Sequence, residues 1–337
     1  INISVEEKAT GQVSLGAGVG TSGASTSFGV AENNFLGKGI KLNSNLMLSE
    51  EKIKGLFSYT KPNYKNSNKD LILSMESSET DRMSDFGYKS NDTGFLIGTN
   101  FEYLEDLYFS PTLSVYYESI NTSSSASSLL KKQEGSYFDT EFSYGLLYDQ
   151  RDQSYQATDG FLSRFYQSLP LNIDENQTVI NSYELTNYHE YIDDQILTLS
   201  IFAKAANSFG DDDVKISNRL YLPSRKLRGF ESGKIGPLDG GDYIGGNYVA
   251  AFNAQANLPI FQTYETLDFN IFYDAANVWG VDYNSGLNDS SALRSATGIG
   301  VDWYTPVGPL SFSFAHPITK GSTDKTETFR FNLGTTF

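Results

Sequence analysis

Residues 265–279, ETLDFNIFYDAANVW, set Leu267, Phe269, Ile271 and Tyr273 against Asp268, Asn270, Phe272 and Asp274. An extended strand sends successive side chains to opposite faces, so this is a strand with one apolar and one largely polar side. The rhythm recurs at 328–337, TFRFNLGTTF, with Phe329, Phe331, Leu333 and Phe337 on one side and Arg330, Asn332, Gly334 and Thr336 on the other. At 246–260, GNYVAAFNAQANLPI, Tyr248, Ala250, Phe252, Ala254 and Ala256 oppose Val249, Ala251, Asn253, Gln255 and Asn257. Helical periodicity is nearly missing, so the chain reads as all-β.

Such strands describe a soluble sandwich with a wet exterior. They equally describe a membrane barrel turned inside out, with lipid outside and a polar lumen. Three features favour the barrel. Segments of about ten residues repeat along the whole chain, the length a tilted membrane-crossing strand needs. Aromatics gather near segment ends, at Tyr59, Tyr64, Tyr148, Tyr188, Tyr191, Trp303 and Tyr304, as interface girdles do. Short and long loops alternate.

The segments are 10–20, 22–33, 39–49, 51–62, 70–79, 94–103, 107–120, 137–149, 160–169, 178–190, 195–207, 246–258, 266–275, 293–304, 309–316 and 327–337. About sixteen antiparallel strands are predicted, an even number as single-chain bacterial barrels have. With the N-terminus inside, FLGKG, LED and TPVGP are inner turns. The outer loops are ETDRMSDFGYKSND at 79–92, NTSSSASSLLKKQEG at 121–135 and a long stretch from about 208 to 246.

Composition excludes several functions. A formal charge of −16 argues against nucleic acid, which needs a basic face to displace phosphate counterions. Cysteine is absent, which removes disulfides and thiolate metal sites. No apolar run of about 18 residues offers a transmembrane helix. The start, INISVEEKATGQVS, has no signal core; residues 1–8 are expected to end an upstream domain or linker, with the barrel over 9–337.

Enzyme signatures are poor. His189 and His316 lie in different strands, and no nucleophile elbow, phosphate loop or dinucleotide fingerprint occurs. No catalytic residue, metal or cofactor is expected. The acidic stretches GDDDV at 210–214 and DGGD at 239–242 read as solvated loops rather than calcium sites. Two features stand out instead. The long loop contains LRGFESGKIGPLDGGDYIGGN at 227–247, and a structureless loop of that length is functional or disordered. The first strand, TGQVSLGAGVG, carries Gly11, Gly16, Gly18 and Gly20, and glycine weakens a strand by lost packing and added entropy.

Several short segments occur in a telling order: NNFLGKG, YDQRDQSYQATDG, LRGF followed by GPLDGGD and GGN, FYDAANVW, WYTPVGPLSFSFAHPI and FRFNLGTTF. Together they resemble the BamA-type family of outer-membrane assembly factors across the whole chain, from a VEE similar to the end of the last periplasmic POTRA domain to Phe337. The resemblance implies an integral barrel of the bacterial outer membrane that assembles and inserts other barrels. Nascent barrel proteins, the chain's own POTRA domains, accessory lipoproteins and membrane lipid are the implied partners. It implies that the sixth outer loop folds inward, with Arg228, Gly229 and Phe230 at its tip and Asp274 and Gln255 as lumen partners. The family commonly has Glu at the Gln255 position, so the charge falls to Asp274. A lateral gate is implied between a first strand holding Gly11, Val13, Leu15, Gly16 and Gly18 and a last strand holding Phe331, Leu333, Gly334 and Phe337. A crosslink from Val13 to Leu333 is expected to lock it, with the register left open. A two-partner secretion pore, and further off a passive porin or barrel enzyme, are the alternatives.

Overall fold

The computed structural model describes residues 8–21, 23–172, 177–193, 195–209, 213–258, 266–289, 291–305 and 308–334. The expected upstream segment lies outside these apart from Lys8, as does the last-strand residue Phe337. Strands run as β1 (Gly11–Gly20), β2 (Gly23–Phe35), β3 (Ile40–Ser49), β4 (Lys52–Lys61), β5 (Asp70–Arg82), β6 (Tyr88–Leu104), β7 (Leu107–Thr122), β8 (Gly135–Asp149) and β9 (Gly160–Pro170). Then follow β10 (Thr178–Ile192), β11 (Gln195–Ser208), the two-residue β12 (Leu238–Asp239) and β13 (Asp242–Tyr243), β14 (Tyr248–Leu258), β15 (Leu267–Trp279), β16 (Arg294–Thr305), β17 (Gly308–Thr319) and β18 (Phe329–Gly334).

All but β12 and β13 close into one antiparallel barrel of sixteen strands, each beside its sequence neighbour and β1 beside β18. Alternation sorts the side chains as the sequence requires. On β15, Ile271 and Tyr273 are exposed on the outer wall, whereas Asn270, Phe272 and Asp274 are buried inside. With lipid as the outside solvent, strand amides must pair within the wall, and curling the sheet until β1 meets β18 serves this.

Two loop expectations are corrected. The loop placed over 79–92 is mostly strand, because β5 runs to Arg82 and β6 begins at Tyr88. Asp81 faces Lys89 in that extension, and Lys89 bridges Glu79 at 2.7 Å. Such polar pairs hold a ladder beyond the apolar band without producing apolar alternation. DGGD at 239–242 is not solvated: Asp239 and Asp242 are buried. Gly240 and Gly241 take positive φ in the turn between β12 and β13, and Asp239 accepts bonds from Ser127 and Tyr283 at 2.6 and 2.7 Å.

The long connection between β11 and β14 enters the barrel. Leu220, Leu222, Leu227, Phe230 and Ile235 of this loop pack on Ala206, Val249, Ala251, Ala276, Val278 and Ala296 of the wall. Alanines on inward positions leave room for a loop to lie against the strands. The lumen at this level is therefore an apolar core, and only elsewhere is it the polar channel the alternation suggests. A second cluster joins Ile216 and Ile244 of the same loop to Phe86, Tyr88, Ile120 and Leu130.

Candidate functional site

The loop tip is built around one buried carboxylate. Inward phase on β15 puts Asp274 inside the wall, fully buried. Its Oδ2 accepts from the Arg228 backbone N–H at 3.0 Å and from Nε at 2.8 Å. Its Oδ1 accepts from an Arg228 terminal nitrogen and from Asn253 Nδ2, both at 2.9 Å. The other terminal nitrogen of Arg228 donates to Gln255 Oε1 at 3.0 Å. The guanidinium carbon lies 3.4 Å from the centre of the Phe272 ring, so the cation is stacked as well as paired.

Gly229 follows at φ +90°, and a Cβ there would stand 3.2 Å from the Cβ atoms of both Ala296 and Ala315. Backbone conformation and close approach thus both require glycine. Phe230 is buried in the loop core. Arg228 and Gly229 therefore meet the lumen wall, and Arg228 touches both Asp274 and Gln255. Gln255 supplies one neutral acceptor in a partly open position, so Gln255→Ala is expected to cost on the order of 1–2 kcal/mol in chemical unfolding.

Three further anchors were not assigned from the sequence. Lys215 is buried and bridges Glu118 at 2.9 Å and Asp139 at 2.5 Å on β7 and β8. Burial opposes its charge, but the two carboxylates outweigh burial and hold its pKa above the usual lysine value. Lys226 bonds Glu184 on β10 at 2.6 Å. Arg330 on β18 points inward and donates to the carbonyls of Ser224 at 2.5 Å and Phe230 at 2.6 Å. Inward phase was legible for Arg330, but backbone carbonyls of a loop carry no sequence signal.

The second region is the seam. Ten Cα pairs join β1 to β2, whereas three join β1 to β18 among the described residues: Gly18 with Gly334, Val19 with Leu333 and Gly20 with Asn332. Leu333 thus faces Val19, and the expected partner Val13 faces Val30 on β2. The reason is stagger. Closing a tilted sheet shifts the last strand along the first by a fixed shear, which sequence phase alone does not reveal. Of the expected gate residues, Gly18, Leu333 and Gly334 meet across the seam. The Phe331 carbonyl accepts from Thr21 at 3.1 Å. Gly11, Val13, Leu15 and Gly16 lie further down β1, where Val13 and Leu15 are 72% and 80% exposed.

The Omp85 superfamily domain matches residues 34–337. The outer membrane protein assembly factor BamA of Neorickettsia risticii is 25% identical over 349 residues, covering 100% of this chain and 46% of that protein. The chain spans about half the length of the curated relatives it matches over its whole extent. The fold matches BamA from Haemophilus ducreyi lacking POTRA domains 1–3 with a TM-score of 0.90 at 23% identity, over 98% of this chain and 71% of that one. CdiB from Acinetobacter baumannii matches with a TM-score of 0.59 at 13% identity, over 97% and 60% of the two chains.

Proposed function

The chain belongs to the Omp85 superfamily and forms an integral outer-membrane barrel; from that premise we propose that it assembles and inserts other β-barrels into that membrane. The observation that carries this reading is the seam, where among the described residues three pairs stand against the ten of the adjacent interface. Each backbone pairing is worth little net in water, but in lipid an unpaired amide is costly. With fewer described pairs than the β1–β2 interface, the seam is where the wall is expected to part, and its edges then need partners. An incoming client strand supplies them by strand addition.

On this reading the edge of β1, with Gly11, Val13, Leu15, Gly16 and Gly18, receives the client, and β18 with Phe331, Leu333 and Gly334 forms the other side of the gate. The loop tip at Arg228, Gly229 and Phe230 fills the lumen and keeps the wall in shape while the seam is open. Upstream POTRA domains and accessory lipoproteins would deliver clients, and lipid beside the seam would receive them. No chemical step is required.

The test is a lock. Val19→Cys with Leu333→Cys places thiols on a true register pair. In the full-length protein reconstituted in vesicles, oxidation is expected to reduce client insertion to background and reduction to restore it. Full insertion with the crosslink formed would refute opening at this seam. A secretion pore would instead leave insertion absent in both forms.

A further inference from the structure

We propose that Arg330 is a positioning residue that fastens the loop tip to the last strand, so that loop and β18 remain one body when the seam parts. This rests on the assembly reading above. Arg330 is the inward residue between Phe329 and Phe331, and it is buried. One terminal nitrogen holds the Ser224 carbonyl and the other the Phe230 carbonyl, so the guanidinium spans the tip on both sides of Arg228. Its Nε and one terminal nitrogen also donate to Glu327 Oε2 at 3.1 and 2.8 Å, which fixes the plane of the fork. A planar fork with several donors can hold two carbonyls and a carboxylate at once, and a lysine ammonium cannot reproduce that geometry.

Backbone contacts extend the same tie. Glu327 N–H donates to the Gly229 carbonyl at 3.0 Å, and Glu231 N–H to the Lys325 carbonyl at 3.0 Å. Phe230 and Thr326 form an antiparallel bridge. The loop thus adds a short ribbon to the segment that leads into β18.

The other bank of the seam is different. A cavity of about 690 Å³ stands there, lined by Gly20, Glu50 and Glu51 on one side and by Glu231, Lys234 and Glu327 on the other. The β1 bank is thus set apart from the loop at this level; among the described residues it pairs with β2 and, through three pairs and the Thr21–Phe331 backbone bond, with β18. The loop therefore registers the position of one gate strand. Its tip, anchored on Asp274, carries that position from β15 across to β18.

The test uses the full-length protein in vesicles with two spin-label pairs. Ser232 with Thr328 reads the loop against the last strand, and Ser232 with Ser285 reads the loop against the β15–β16 connection. All three positions are exposed. In Arg330→Ala the first distance distribution is expected to broaden while the second stays as in the wild type, and client insertion to slow roughly tenfold, the effect of losing charged hydrogen bonds at one site. Arg330→Lys is expected to restore less than half of that loss. An unchanged Ser232–Thr328 distribution, or equal broadening of both pairs, overturns the tie. Should Arg330→Ala fail to fold, Glu327→Gln loosens the same fork and is judged by the same two distances. A wild type that inserts no clients would sink the assembly reading, yet the distances would still decide the tie.

Discussion

Asp274→Ala is expected to destabilise the barrel by roughly 3–5 kcal/mol, the cost of leaving a buried cation without its carboxylate. The Arg228 side chain is only 16% exposed, so solvent screening relieves little of that cost. Three donors of Arg228, its backbone N–H included, lose their acceptor at once, and Asn253 loses one of its two. Gln255 remains, but a neutral amide supplies a single bond. Arg228→Ala orphans the carboxylate instead and belongs in the same range, whereas Asp274→Asn retains an acceptor and falls between. The check is the midpoint of urea unfolding in detergent micelles. An Asp274→Ala midpoint equal to that of the wild type would refute the account of the tip.

Lys215→Met is the second large effect, again roughly 3–5 kcal/mol, because it strands two carboxylates that share one ammonium. Glu118 and Asp139 stand on neighbouring strands, and without the cation they repel one another in a poorly solvated place. Adding Glu118→Gln and Asp139→Asn to Lys215→Met is expected to recover most of the loss, since neutral replacement of a whole buried ionic group is often nearly free. Comparing unfolding midpoints of the single and triple variants separates the charge effect from lost packing on Tyr137, whose ring centre lies 4.7 Å from the ammonium. A triple variant no better than Lys215→Met would refute the electrostatic account.

Much of the fold was legible because a lipid-facing strand must alternate. The phase that put Ile271 and Tyr273 outside also put Asp274 inside, whereas its contact with Arg228 was implied only by the family resemblance. Where alternation fails, so does the reading. The extension of β6 from Tyr88 is polar on both sides and resembled a loop. Val249 and Ala251 are as apolar as Ala250 and Phe252, so an apolar lumen core lay behind what read as an alternating strand with a polar inner side. Lys215 sits just after three aspartates, a context that suggests solvation, yet its partners lie on strands β7 and β8. The seam register escaped for a geometric reason. Shear is a property of the closed barrel and belongs to no single strand.

Bringing Gly18 to Gly334 joins almost the two ends of the described chain, and the entropy of closing such a span is set, among the described residues, against three pairs. The inward loop shortens that search. Lys215 with Glu118 joins residues 97 apart and Arg330 with Phe230 joins residues 100 apart, so the docked loop ties strands β7 and β18 together through spans far shorter than the one between the ends. Closing the ring with the loop already docked would therefore span less free chain than closing it first.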